Sequence, residues 1–140
     1  MQWDSSHNAG FSAVPTESLY APPISDPVFG YQQVNVASQR ADDRSLLHTI
    51  RQMIHRRKAL EFVAKASLEW LSDLPQHLMC FWRVSNRGTL LALHNLSDSA
   101  ATIALPSRAE RYQDALWPDV AAVSETISLP PYGYRWLLPG

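Results

Sequence analysis

The clearest periodic signal lies mid-chain, over residues 42–59 (DDRSLLHTIRQMIHRRKA). Leu46, Leu47, Ile50, Met53 and Ile54 recur at three and four residues, the spacing that lines one face of an α-helix. Asp42 or Asp43 is placed to cap the first turn by accepting from free backbone N–H groups, and Arg56, Arg57 and Lys58 close the last one. At ~1.5 Å per residue this helix would be about 27 Å long. After Leu60 the pattern changes to short strands. Seven short apolar stretches, at 67–72, 77–85, 89–97, 101–106, 110–117, 125–130 and 132–139, are separated by turn residues. Asn86-Arg87-Gly88 reads as a hairpin turn and Asp98-Ser99 as a second. Strands at this spacing predict an antiparallel β-sandwich of about 75 residues.

Residues 1–41 follow neither pattern. Pro15, Pro22, Pro23 and Pro27 fix backbone angles there, among the rings Trp3, Phe11, Tyr20, Phe29 and Tyr31. The stretch reads as a long ordered loop, with Phe11 buried and the rings pinning it to a scaffold. A loop of this length ordinarily serves function or packs on other material. The predicted chain is mostly β: a C-terminal antiparallel sandwich preceded by one α-helix and a long ordered loop.

Composition narrows the function classes. With 46% apolar and 18% charged residues the chain is ordinary for a globular protein, and its formal net charge is -1. That balance removes the electrostatic case for a nucleic-acid or anionic-membrane partner. The basic run at 56–58 is accounted for by the negative end of the helix dipole. Cys80 is the one cysteine, which excludes an internal disulfide and a cysteine-based zinc site; inside the run LMCFW it reads as a small core residue. Residues 1–30 lack a basic segment followed by an apolar one, and no apolar stretch reaches the ~20 residues that span a bilayer. The expected location is the cytoplasm.

The chain carries no glycine-rich phosphate loop, GxSxG elbow, HExxH or EF-hand loop. His48 and His55 stand seven residues apart, whereas helical zinc pairs use four. Of the carboxylates, Asp4 and Asp26 fall in the loop, Asp42 and Asp43 at the helix cap, and Glu61, Glu69 and Glu125 at strand starts or solvated positions. None is placed by its spacing opposite another across a cleft, so no catalytic residue, metal or cofactor is assigned. The loop does combine ring faces with Gln2, Asp4, Asn8 and Gln32, a mixture that suits carbohydrate. Trp70, Trp82, Trp117 and Trp136 fall in predicted strands, where core packing is the expectation.

Two stretches go beyond what periodicity gives. MQWDSSHNAGFS resembles the α-amylase-family segment R-T-P-M-Q-W followed shortly by N-A-G-F, with Met1-Gln2-Trp3 and Asn8-Ala9-Gly10-Phe11 matching and Arg-Thr-Pro absent. The run LYAPPISDPVFGYQQVNVASQRADDRSLLHTIRQMIHRRKA is similar to one branch, the trehalose synthases (maltose α-D-glucosyltransferases). Their L-Y-x-P-P-I, D-P-V-[YF]-G-Y-Q and V-N-V pieces precede the last barrel helix. LPPYGYRWLL resembles the closing strand of their C-terminal sandwich.

The resemblance implies that residues 1–60 are the last βα loop (1–41) and final helix of a (β/α)8 barrel, cut at an internal methionine. Residues 61–140 are then the C-terminal β-sandwich domain. It implies that Gln2, Trp3, Asp4 and Asn8 lie on or behind the substrate rim, since barrel enzymes work at the C-terminal ends of their strands. The nucleophile Asp, acid/base Glu and stabilising Asp of the family belong to earlier strands, so the chain alone is expected to be inactive. Its implied partner is the remainder of the barrel, with maltose and trehalose as ligands only when that barrel is present. The alternatives are the tail of an α-glucosidase or oligo-1,6-glucosidase, a stand-alone carbohydrate- or protein-binding sandwich presenting Trp70 and Trp82, and a degenerate remnant exposing the Leu46–Ile54 stripe.

Overall fold

The computed structural model describes residues 2–140; Met1, which opens the Met-Gln-Trp match, lies outside the described residues. The chain divides into two compact units, Met1–Ile54 and His55–Gly140.

The first unit is irregular backbone leading into helix. Short 3-10 turns occupy His7–Gly10 and Thr16–Ser18, followed by helix α1 (Val36–Ala41) and the start of helix α2 (Leu46–Ala59). Helix α1 was not anticipated, because its six residues are too few to show a 3.6-residue period. Asn35 starts it: the side-chain oxygen accepts from the Ser38 N–H at 2.8 Å while Asn35 itself is buried.

Helix α2 begins four residues later than the sequence suggested, and neither Asp42 nor Asp43 caps it. Asp42 ends α1, and its carboxylate accepts from the Arg44 N–H in the intervening turn. The cap is Ser45, whose carbonyl accepts the first helical bond, from the Thr49 N–H at 3.0 Å. The Ser45 hydroxyl accepts from the His48 N–H at 3.4 Å, and the Gln39 side chain accepts from the Leu47 N–H at 2.9 Å. The apolar stripe of α2 is largely exposed: Leu46 is 69% exposed, Ile50 and Ile54 are also exposed, Leu47 and Met53 are half-buried, and no residue of the helix is fully buried.

The second unit is the sandwich. A 3-10 turn at Glu61–Lys65 leads into seven strands: β1 (Ser67–Trp70), β2 (Leu78–Ser85), β3 (Gly88–Asn95), β4 (Ala101–Ala104), β5 (Tyr112–Asp114), β6 (Thr126–Leu129) and β7 (Tyr134–Pro139). Each falls in one of the seven apolar stretches read from the sequence, with β3 starting one residue earlier, at Gly88. They form a five-stranded sheet in the order β1-β2-β3-β7-β5 and a two-stranded sheet β4-β6, with every pairing antiparallel. The β2–β3 hairpin sets the register, from Leu78 opposite Asn95 to Ser85 opposite Gly88, with Asn86 and Arg87 as its loop. A Cβ on Gly88 would meet the Phe62 ring at 2.9 Å, so glycine lets that ring close over the hairpin end.

Period two decides which face each side chain takes. Cys80 and Trp82 of β2, Leu91 and Leu93 of β3, Tyr112 and Leu137 face Ile103, Ile127 and Leu129 of the smaller sheet, forming one core. Two polar groups enter it fully partnered. The Asp114 carboxylate accepts from the Leu116 and Trp117 N–H groups and pairs with Arg135 at 2.8 Å. The Tyr112 hydroxyl donates to the Pro106 carbonyl.

The tryptophans divide. Trp82 is a core residue, as expected, but Trp70 is 63% exposed because β1 is an edge strand, and Trp117 is half-buried beyond the end of β5. Leu93→Ala should lower unfolding free energy in urea by about 2–5 kcal/mol, the range for emptying a well-packed site. Ser45→Ala should cost about 1 kcal/mol through the lost cap.

Candidate substrate-rim loop

Hydrogen bonds, rather than buried rings, shape the loop. Asn8 and Ala9 have left-handed φ of 53° and 57°, and Gly10 follows at 73°. Asparagine tolerates that region and glycine favours it; alanine is held there by its surroundings. Ala9 is fully buried, and its carbonyl accepts from Trp3 N–H at 2.9 Å and Asp4 N–H at 3.4 Å. A Cβ on Gly10 would fall 2.9 Å from the Asp4 carboxylate, so both space and φ require glycine.

The Asn8 side chain is the hub. It donates to the Ser12 carbonyl at 3.2 Å and the Val14 carbonyl at 2.6 Å, and accepts from the Thr16 hydroxyl at 2.7 Å. Asp4 accepts from the Ser6 N–H at 2.9 Å and from the Ser6 hydroxyl; these bonds to Ser6 hold its carboxyl below the usual range. Asp26 accepts from the Val28 and Phe29 N–H groups at 2.7 Å each, and those bonds lower its carboxyl in the same way. A Cβ on Gly30 would sit 2.2 Å from the Asp26 carbonyl, so only glycine closes that turn.

Of the four rim residues named from the sequence, Gln2 lines a cavity. Together with Phe11, Leu19, Tyr20, Pro22, Pro23 and Ile24 it bounds a space of about 730 Å³. The Gln2 amide donates to the Phe29 carbonyl at 3.4 Å, and its carbonyl accepts from the Val36 N–H. Trp3 is half-exposed, while Asp4 and Asn8 are turned inward to the loop backbone. The rings do not pin the loop: Phe11 is 49% exposed, not buried, and Tyr20 and Phe29 stand out in solvent. The cavity wall at 19–24 went unassigned in the sequence, although its Tyr-Ala-Pro-Pro run was the available signal.

Chemically this wall offers flat apolar surfaces and one amide, which suits the C–H face of a sugar. No carboxyl is among its lining residues, and Tyr20 carries its one hydroxyl. Elsewhere burial pushes the Cys80 thiol up, so it stays protonated in the core. Among the described residues no three His, Cys, Asp or Glu gather as for a metal, and no helix is long and apolar enough to cross a membrane.

A family model for the sucrose hydrolase-like C-terminal domain matches residues 88–138. Over 97% of its length the chain is 34% identical to the trehalose synthase/amylase TreS of Mycobacterium tuberculosis, covering 24% of that protein. Over the same share it is 30% identical to the trehalose synthase of Pimelobacter sp., covering 26%. The chain belongs to the α-amylase family. It corresponds to the C-terminal part of the family's trehalose synthases and spans about a quarter of their length. The crystal structure of Bacillus licheniformis trehalose-6-phosphate hydrolase (TreA) shares the fold, with a TM-score of 0.77 at 18% identity over 99% of this chain and 25% of that one.

Because the folded carboxyls of Asp4 and Asp26 titrate below the ordinary aspartate value of 3.8, their bonds contribute fully above that pH. The contribution is lost as pH falls through the folded values. Carboxyl-carbon NMR titrations should therefore show midpoints below 3.8 for both, with faster exchange of the Ser6, Val28 and Phe29 amides appearing only there. Asn8→Ala should cost about 1–3 kcal/mol in local opening of the first unit, read by hydrogen exchange, because three partners lose their bonds.

Proposed function

We propose that the chain is the C-terminal part of an enzyme that interconverts maltose and trehalose by intramolecular glucosyl transfer. The observation that carries this reading is its similarity to trehalose synthases over 97% of its length. In this reading residues 1–60 are the last βα loop and final helix of the barrel, and 61–140 are the sandwich domain. Gln2 and the wall formed by Phe11, Tyr20 and Pro22 border the sugar pocket, with Trp3 beside them. Asp4 and Asn8 act on the loop's shape and have no chemical part.

Retaining glucosyl transfer needs two carboxylates about 5 Å apart, one as nucleophile and one as acid/base. Asp4 and Asp26 are committed to turns, Asp4 through Ser6 and Asp26 through Val28 and Phe29. In this reading the catalytic pair belongs to the barrel, and the 140 residues alone are inactive. Glucosyl transfer of this kind calls for no cofactor, and the complete enzyme is placed in the cytoplasm. The free-standing glucan-binding reading loses its platform, since Trp82 is in the core and Trp70 lies on the opposite face of the sheet.

The test is to fuse the chain, in place of the matching part, to the remainder of the Mycobacterium tuberculosis relative and to follow 13C-labelled maltose by NMR. Trehalose should appear from the fusion and be absent from the 140 residues alone. Glucose without trehalose would assign the α-glucosidase alternative, and trehalose from the chain alone would overturn the division of labour.

A further inference from the structure

The wall of the 730 Å³ cavity in the first unit is poor in hydrogen-bonding groups. Phe11, Leu19, Ala21 and Ile24 bring no polar side-chain atom, and Pro22 and Pro23 bring neither that nor a backbone N–H. Among the described residues of the lining, the polar side-chain groups are the Tyr20 hydroxyl and the Gln2 amide, which already donates to the Phe29 carbonyl. Small-molecule sites of roughly 300–1,000 Å³ ordinarily use a few placed polar groups to fix one ligand orientation. This wall has the volume of such a site and little to fix an orientation with.

The wall itself is held firmly. At one end the Leu19 N–H donates to the Thr16 carbonyl at 3.1 Å, and the Thr16 hydroxyl donates to Asn8 at 2.7 Å. At the other the Ile24 carbonyl accepts from the Tyr31 N–H at 3.1 Å. Between these ties Pro22 and Pro23 restrict φ and stiffen the segment. A stiff surface with few directional contacts suits a ligand that must turn while it stays bound.

Interconversion of maltose and trehalose sets that requirement. Maltose carries its glucosyl unit on O4 of the second glucose, and trehalose carries it on O1. Transfer to the barrel's nucleophilic carboxylate breaks the glycosidic bond, forms a glucosyl ester and delivers a proton to O4 of the departing glucose. For trehalose, the 1-hydroxyl of that same glucose attacks the anomeric carbon and gives its proton to the acid/base carboxylate as the ester bond breaks. Water attacking the same ester yields a second glucose instead. The departing glucose therefore has to present a different edge without leaving. A site that bonded its hydroxyls one by one would have to break those bonds first.

We propose that the segment 19–24, with Phe11, is the surface on which the departing glucose turns, and that its lack of hydrogen-bonding groups sets the partition between transfer and hydrolysis. The proposal rests on the reading of the chain as part of an enzyme that interconverts maltose and trehalose. It makes Pro22 and Ile24 specificity-determining residues: they keep water off the ester and leave the sugar's rotation free.

The experiment uses the fusion described above with uniformly 13C-labelled maltose and reads the ratio of trehalose to glucose by NMR. Pro22→Ser and Ile24→Asn place hydrogen-bonding groups on the wall at exposed positions, where folding does not depend on them. Each should lower the ratio about tenfold, the effect of one well-placed hydrogen bond, with maltose still consumed. Ile24→Leu, which stays apolar, should keep trehalose the main product. A fall in Ile24→Leu as large as that in Ile24→Asn would assign the effect to shape and overturn the proposal. With unlabelled glucose added, the unaltered fusion should still make trehalose labelled in both rings. Trehalose labelled in one ring would mean that glucose leaves and returns, which also overturns it. Glucose without trehalose from the unaltered fusion is the failure of the functional reading and takes the proposal with it. Trehalose from the unaltered fusion, with the ratio unmoved in both polar variants, sinks the proposal alone.

Discussion

Backbone that leaves helix or sheet must find its hydrogen bonds elsewhere, and in this chain three buried asparagines supply them. Asparagine carries both a donor and an acceptor on a short stem, so one side chain can close several loop groups at once. Asn8 gathers Ser12, Val14 and Thr16; Asn35 joins the Tyr31 carbonyl to the first turn of α1. Asn95 does the same in the sandwich. It donates to the Ser99 and Pro130 carbonyls and accepts from Ser97, fastening the end of β3 to the segment that leads into β7. Without these groups the long connections would have to stay solvated and could not hold a defined shape.

The sandwich depends on a different constraint, the alternation of side chains along β2 and β3. One set of residues closes on the smaller sheet and makes the core. The other set forms a largely apolar face, covered at one end by the 3-10 turn at Glu61–Lys65, whose Val63 carbonyl accepts from Arg83. Trp82 and Trp70 show the same division, one ring in the core and the other on the far side of the sheet.

Shape and chemistry are kept apart in the first unit. The residues that give the rim loop its form, Asp4, Asn8 and Asp26, are consumed by backbone contacts and are thereby unfit for proton transfer. What lines the 730 Å³ cavity is Phe11, Tyr20, the two prolines, short aliphatic side chains and the Gln2 amide. The apolar stripe of α2 is only partly covered, with Leu47 and Met53 half-buried and Leu46, Ile50 and Ile54 exposed.

Much of this was written in the linear sequence. Short apolar runs separated by turn residues located the seven strands, because each strand that enters a core must carry apolar residues and each reversal between strands needs turn chemistry. Period 3.6 located α2, and the Met-Gln-Trp and Asp-Pro-Val-Phe-Gly-Tyr-Gln runs located the family. Other features were decided only in three dimensions. The α2 cap moved from Asp42 to Ser45, because the preceding turn claimed the aspartate and Gln39 came within reach from a separate helix. Asp4 and Asn8 looked like polar rim residues because residue type does not say which way a side chain turns; the left-handed run at 8–10 turned them inward. Trp70 and Trp82 read alike as aromatic strand positions until register placed one on an edge and one in the core. Sequence periodicity reports how often a chain is apolar, whereas burial depends on what the folded neighbours bring to meet it.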